Sequence, residues 1–334
     1  MSFEGQTTKM LLAGDVGGTK TLLGLFERGS PRPQPIVIRS YQTCAYTSFT
    51  AILDAFASDV GHAFDVDASV AGVAGPVVDN RARLTNIAWD VSADEISARF
   101  KTPRSRLIND LEAMATCAEW LNTDELVPLQ AGIPRSDGNA VVIAAGTGLG
   151  EAFLHRVDGR LRPVPSEGGH ADFPARTDRE IDLLRMLRAD YGRVEVEHVL
   201  SGPGLLNLYR FTHVSVACEA TLGMTVETGP AVISQAALEA RCPACVEALD
   251  MFVSAYGAEA GNLALRGMAT SGVYVGGGMA PKILPALRTG QFMNAFRDKG
   301  AMSELVANIP VKVILNAEAG LVGAAVCAQQ LADA

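Results

Sequence analysis

Two Leu-rich apolar runs, Leu11-Leu12-Ala13 and Leu22-Leu23-Gly24-Leu25-Phe26, flank the polar, glycine-dense break Gly14-Asp15-Val16-Gly17-Gly18-Thr19-Lys20-Thr21. The stretch reads as strand, tight turn, strand. Gly17 and Gly18 can take the positive φ of a hairpin turn, and without a Cβ they let backbone amides approach an anion closely. A bare hairpin needs only those glycines. Asp15, Thr19 and Lys20 add a carboxylate, a hydroxyl and a cation around them, which suits a phosphate and its metal ion. On this stretch alone, an ordinary turn and a phosphate loop account for the residues equally well.

The rest of the chain limits the choice. At 334 residues it should form two domains or one large one. With 28 Lys and Arg against 37 Asp and Glu, the net charge is −9, and no long basic run is present. Binding to nucleic acid or anionic lipid through bulk electrostatics is therefore not expected. No stretch reaches the roughly 20 apolar residues of a membrane span. The N-terminal MSFEGQTTK lacks the layout of a signal peptide, so a cytoplasmic protein is expected. Six scattered cysteines fit reduced thiols better than a disulfide framework. Cys242-Pro243-Ala244-Cys245 has a suggestive spacing, but no partner pattern nearby supplies the second pair of ligands that zinc needs. It reads as two buried or half-buried thiols near a helix start.

Along the chain, strands alternate with helices, which makes the fold class α/β. Ile36 to Ile38 reads as a strand, and residues 48 to 61 carry Phe49, Ile52, Leu53, Phe56 and Val60 at helical spacing. The small-residue strand Ala68 to Gly75 suggests close backbone contact at its end. Ser92 with Glu95 three residues on forms a capping box. Arg106 to Asp110 is a short strand running into the helix Leu111 to Leu121. The strand Val141 to Ala145 ends in a second glycine turn, Gly146-Thr147-Gly148-Leu149-Gly150, and Val273 to Val275 ends in a third, Gly276 to Gly278, followed by a helix from Pro281. A closing strand, Val311 to Leu315, leads into an alanine-rich helix from Ala319. The repeated strand–Gly turn at Asp15 and Gly146 hints at duplication of one α/β unit.

Two such turns can present amides to the phosphates of one nucleotide, while Gly276 to Gly278 leave a flat backbone wall for a base. With no GxxxxGK[ST] segment, they favour an ATP site other than a P-loop. At Asn109-Asp110, Asp110 can serve as the general base for an alcohol that receives a phosphoryl group, or as a helix cap. Glu167-Gly168-Gly169-His170 can direct an acceptor and a donor into one cleft, as polyol binding requires, or hold an ordinary surface histidine. Glu197 has little standing from its residues alone.

Taken together, the chain resembles the bacterial ATP-dependent glucokinase family, within the hexokinase, actin and heat-shock chaperone ATPase superfamily. GDVGGTKT resembles its first phosphate motif, LINDLEAMA the sugar-binding and catalytic segment, and AAGTGLG the second phosphate motif. SEGGHADF and EHVLSGPGLLNLYR resemble glucose-contact segments, and VYVGGGMAPK the adenosine motif. The resemblance implies a two-domain actin-like (ribonuclease H-like) fold with an interdomain cleft. It places a small domain at residues 1–110 plus the helix 318–334, and a large domain at 111–317. Asp110 would be the base for the glucose 6-hydroxyl, with Asn109, Asp110, Glu167, His170 and Glu197 binding the sugar. Gly14, Asp15, Val16, Gly17, Gly18, Thr19, Gly146, Thr147 and Gly148 would hold ATP phosphates. Gly276 and Gly277 would face the adenosine, and Asp15 would reach Mg²⁺ through water. A homodimer feeding glucose into glycolysis is what the family implies.

The chain departs from the related repressor and kinase group, in which a cysteine-rich zinc motif follows the His of the EGGH-like segment. Here Ala171-Asp172-Phe173 follows, which disfavours a zinc-dependent kinase of that group. A kinase for mannose, fructose or glucosamine is the alternative reading, since residue types do not resolve sugar epimers. An ATP-binding sugar sensor is a further one.

Overall fold

The computed structural model describes residues 9–61, 64–84, 87–213 and 218–334. Most of the N-terminal stretch read above for a leader therefore lies outside the described residues. The chain divides into two compact units, one formed by residues 1–122 with 318–334 and the other by 123–317.

The first unit begins with β1 (Lys9–Val16), β2 (Lys20–Glu27) and β3 (Gln34–Gln42), then α1 (Phe49–Val60) and β4 (Asp65–Val73). A small sheet follows, made of β5 (Val77–Val78), β6 (Arg81–Arg83) and β7 (Asp90–Ser92). It leads through α2 (Ala93–Phe100) to β8 (Ser105–Asn109) and α3 (Asp110–Cys117). The main sheet has the order β3-β2-β1-β4-β8, with β1, β4 and β8 parallel and β2 and β3 antiparallel.

The second unit contains β9 (Leu126–Gln130), β10 (Ala140–Ala145), β11 (Leu149–Val157) and β12 (Arg160–Ser166). Four helices follow, α4 (Asp178–Tyr191), α5 (Gly202–Thr212), α6 (Gly229–Leu238) and α7 (Pro243–Gly267). The unit continues through β13 (Gly272–Gly276), α8 (Leu284–Leu287), α9 (Gln291–Arg297), α10 (Ser303–Ala307) and β14 (Val311–Ile314). Its sheet runs β12-β11-β10-β13-β14-β9. The first five strands repeat the pattern of the other unit: two antiparallel strands, then three parallel ones. The shared topology accords with duplication of one unit. The C-terminal α11 (Ala319–Asp333) returns to the first unit.

Side-chain alternation along β1 explains how that sheet is covered. Leu12 and Val16 join Phe49, Ile52, Leu53 and Phe56 of α1 in one core, while Leu11 and Ala13 join Leu321, Ala324 and Ala325 of α11 in another. By the same parity, Asp15 belongs to the α11 face. Small residues let the helices come close. A Cβ on Gly323 of α11 would stand 1.8 Å from the carbonyl oxygen of Ala113 in α3, and one on Gly72 of β4 would stand 3.4 Å from the Asp110 Cα. The absence of bulk in β4 thus serves the approach of α3.

Local signals act as expected at several ends. The Ser48 hydroxyl accepts the Ala51 N–H at 3.2 Å, and the Ser92–Glu95 capping box forms. Two expectations are corrected. The helix predicted from Pro281 starts only at Leu284, with Pro285 rather than Pro281 in its first turn, and ends at Leu287. The helix predicted over Leu111 to Leu121 begins one residue earlier and ends at Cys117, continuing as a 3₁₀ turn through Trp120.

Candidate active site

The β1–β2 turn is held from below. Gly17 N–H donates to the Lys20 carbonyl at 3.0 Å, Thr43 Oγ1 donates to the Gly17 carbonyl at 2.8 Å, and Thr43 N–H donates to the Thr19 carbonyl at 2.9 Å. Neither Gly17 nor Gly18 has a positive φ, contrary to the sequence reading. Close packing is what disfavours larger residues here. A Cβ on Gly14 would lie 3.0 Å from Ala71 Cβ, and one on Gly17 would lie 3.0 Å from the Lys20 carbonyl.

Asp15 leaves the end of β1 toward the first turn of α11, where a Cβ on Gly320 would stand 2.9 Å from its Oδ2. Desolvation, and then the negative charge of Asp110, push the Asp15 carboxyl up to about 6; Lys20 opposes them. The fold therefore brings together two of the predicted carboxylates, one from β1 and one from α3. Of the two adjacent residues at 109 and 110, Asn109 is the helix cap. Its Oδ1 accepts the N–H groups of Leu111 at 3.0 Å and Glu112 at 3.3 Å, and its Nδ2 donates to the Gly75 carbonyl at 3.2 Å. Asp110 is thereby placed at the first helical position, where its Oδ1 accepts the Leu111 N–H at 2.8 Å.

In the second unit, the Gly146–Gly148 turn and Gly276–Gly277 end adjacent parallel strands, β10 and β13. The buried Tyr256 hydroxyl of α7 joins them: it accepts the Ala145 N–H at 3.2 Å and lies 3.2 Å from the Gly276 carbonyl. Gly277 has φ +82°, and a Cβ there would fall 2.3 Å from the Ala145 carbonyl, so glycine is required on both counts. The Gly146 carbonyl accepts the Gly202 N–H at 2.8 Å, bringing the start of α5 to the turn. Glu197 belongs to the same assembly, since its Oε2 accepts the Leu149 N–H at 2.8 Å. A Cβ on Gly148 would stand 2.5 Å from that oxygen, so the second glycine of the turn is packed against the Glu197 carboxylate.

Glu167 precedes a 3₁₀ turn, Gly168–His170. The Val196 N–H donates to the Ala171 carbonyl at 2.9 Å, which lays this turn beside the Glu195–Glu197 segment. His170 Nδ1 lies 2.7 Å from Glu195 Oε2, and that bond raises the imidazole above its ordinary range, with Glu197, Glu195 and Glu167 adding to it through charge. Glu167, His170 and Glu197 are thus one electrostatic cluster.

Three residues escaped the sequence reading. Glu195 stands two positions from Glu197, and no spacing rule separates them. Tyr256 looks like any core aromatic of a long helix. Glu151, 1 % exposed on β11, is pushed up to about 7 by burial and then by the charge of Glu259, against the pull of Arg266. Its Oε1 has no hydrogen-bond partner among the described residues.

The Glucokinase family model matches residues 12–331. The chain belongs to the glucokinase family. A curated glucokinase of Nostoc sp. is 39 % identical over 341 residues, covering 96 % of this chain and 99 % of the relative. One of Cronobacter sakazakii is 35 % identical, covering 95 % of this chain and 96 % of that one. A solved glucokinase from an Antarctic psychrotroph superposes with a TM-score of 0.82 at 29 % identity, over 96 % of this chain and 99 % of that one. The fold is the two-domain α/β actin-like ATPase fold of glucokinase-family structures. Among the described residues, no helix is long and apolar enough to cross a membrane.

Proposed function

We propose that this chain transfers the γ-phosphoryl group of ATP to the 6-hydroxyl of glucose, giving glucose 6-phosphate and ADP. Family membership over nearly the whole chain, with Asp110 at the first position of α3, carries this reading. A ROK-family glucokinase from Streptomyces griseus, which has the same fold at 24 % identity and a TM-score of 0.68, was solved with glucose and AMPPNP.

In this proposal Asp110 takes the proton of the attacking hydroxyl as its oxygen bonds to phosphorus. The Asn109 side-chain cap and the Leu111 N–H hold Asp110 for that work. Asn109, Glu167, His170 and Glu197 bind the other sugar hydroxyls, with His170 oriented by Glu195. Residues Gly14 to Thr19 and Gly146 to Gly148 hold the phosphates through backbone amides, and Gly276 and Gly277 lie against the adenosine. The desolvated Asp15 carboxyl, raised by the neighbouring charge of Asp110, suits a divalent cation, because a positive charge there relieves both effects. Asp15 would hold Mg²⁺ through water, and the ion would supply neutralisation of phosphate charge. The setting we propose is a cytoplasmic homodimer at the entry to glycolysis.

An ADP-release assay with a panel of sugars tests the proposal. Glucose should give the highest kcat/KM. A clear preference for mannose, fructose or glucosamine would move the assignment to that sugar, and sugar-independent ATP turnover would end it.

A further inference from the structure

Four side chains that play no part in the proposed site meet in the second unit. The Nε2 of His213 and the Sγ atoms of Cys218, Cys242 and Cys245 all lie within 4.8 Å of one another. His213 Nε2 is 3.4 Å from Cys242 Sγ and 3.8 Å from Cys245 Sγ. A tetrahedral zinc with three sulfur ligands and one nitrogen spaces its ligand atoms about 3.5–3.8 Å apart, by the geometry of its bond lengths. The tetrad is therefore nearly at ligand spacing.

The imidazole is prepared for such a role. His213 Nδ1 lies 2.9 Å from the Tyr209 carbonyl oxygen, which can only accept, so Nδ1 carries the proton and Nε2 offers its lone pair to the sulfurs. Tyr209 stacks on the ring with centroids 3.8 Å apart, and its hydroxyl lies 2.7 Å from Thr221 Oγ1, which in turn donates to the Cys218 carbonyl at 3.0 Å. Thr212 Oγ1 donates to the Ala244 carbonyl at 2.9 Å, tying the imidazole's segment to the Cys242–Cys245 turn. The imidazole is thus oriented by its neighbours, and the backbone at Cys218 and between Cys242 and Cys245 is tied to the same segment. Three thiols around one nitrogen lone pair are weak donors with too few acceptors; a metal ion gives every one of these atoms a partner.

We propose that His213, Cys218, Cys242 and Cys245 bind one structural Zn²⁺. Four protein ligands close the coordination shell, leaving no position for a substrate, and the three-sulfur, one-nitrogen set selects zinc among abundant divalent ions. The ion pins the end of α5 and the segment at Cys218 to the start of α7. Because His170 takes no part, this centre differs from a zinc motif following an EGGH-like segment.

The full chain, purified in reducing buffer without chelator, should carry about one zinc per molecule by elemental mass spectrometry. Chain produced in cobalt-supplemented, zinc-limited medium should show the d–d and thiolate-to-metal bands of tetrahedral cobalt, which needs no variant to fold. The double variant C242S/C245S should lose the metal, and its Tm should fall by about 5 °C or more. Metal-free wild-type chain with three free thiols at these positions or with a Cys242–Cys245 disulfide, or cobalt bands of an octahedral site, would overturn the proposal. Sugar phosphorylation does not enter these readouts, so they stand apart from the proposed activity.

Discussion

His170 Nδ1 lies 2.7 Å from Glu195 Oε2, and Arg193 reaches from the same side to the Glu195 carboxylate at 2.9 Å and to the His170 carbonyl at 2.7 Å. The hydrogen bond favours the protonated imidazole, so the folded-state value lies above the unfolded one. Any stability this adds is fully present below the unfolded value near 6.5 and is lost as pH rises through the folded value. It is small, because the side chains are partly exposed. Glu195→Gln should lower the His170 titration midpoint in an NMR titration. Glucose affinity should weaken as the ring loses its orientation, with kcat less affected. An unchanged midpoint would refute the coupling.

Asp110→Asn should keep α3, because Asn109 remains its cap, and should lower kcat by roughly 10²–10⁴. It should also stabilise the protein slightly above pH 6. Asp15 is raised to about 6, so its ionisation costs stability as pH climbs from its unfolded value through that point, and removing the Asp110 charge shrinks the cost. Lower turnover with an equal or higher Tm at pH 7.5 is the expected pair. Turnover like that of the wild type would remove Asp110 from the role of base.

Glu151→Gln should stabilise the fold in a pH-dependent way. Burial, reinforced by Glu259, lifts the Glu151 carboxyl from an ordinary 4.5 to about 7, while Glu259 accepts from Arg266 at 2.7 Å and Asn262 at 3.0 Å. The wild type therefore loses stability as pH rises from the unfolded value through 7. The variant, which has no charge to bury, should gain up to about 3 kcal/mol at pH 8 and little at pH 4.5. Denaturant midpoints at the two pH values decide it; equal gains at both would point to packing alone.

Gly323→Ala tests the contact between α11 and α3. The added Cβ would overlap the Ala113 carbonyl, forcing the helices apart at a cost of about 1–3 kcal/mol or more. Since Asp110 begins α3, Tm and kcat should fall together. A variant with an unchanged Tm would mean that α11 shifts freely.

Much of this was legible before any folding. The capping box at Ser92, the helix face of α1 and the strand–turn–strand of β1 and β2 follow from short-range geometry, which neighbouring residues decide among themselves. The glycine turns were legible as turns, but their reason was not. At Gly14 and Gly17 the constraint is crowding by Ala71 and the Lys20 carbonyl rather than a positive φ.

What lay beyond the sequence is whatever depends on partners distant along the chain. Cys242 and Cys245 lacked ligands within reach of any spacing pattern, yet the packing of α5 against α7 carries His213 to 3.4 Å from Cys242. Glu151 and Glu259 are ordinary acids in a linear reading; burial on β11 and α7 turns them into a charge-coupled pair. Even the opening Asp15 acquires its raised carboxyl only when α3 and α11 close over it. Sequence determined the elements and the residue types at their ends, because those obey local sterics and hydrogen bonding. Tertiary structure decided which of those ends meet, because charge, desolvation and ligand geometry are set by distance in space.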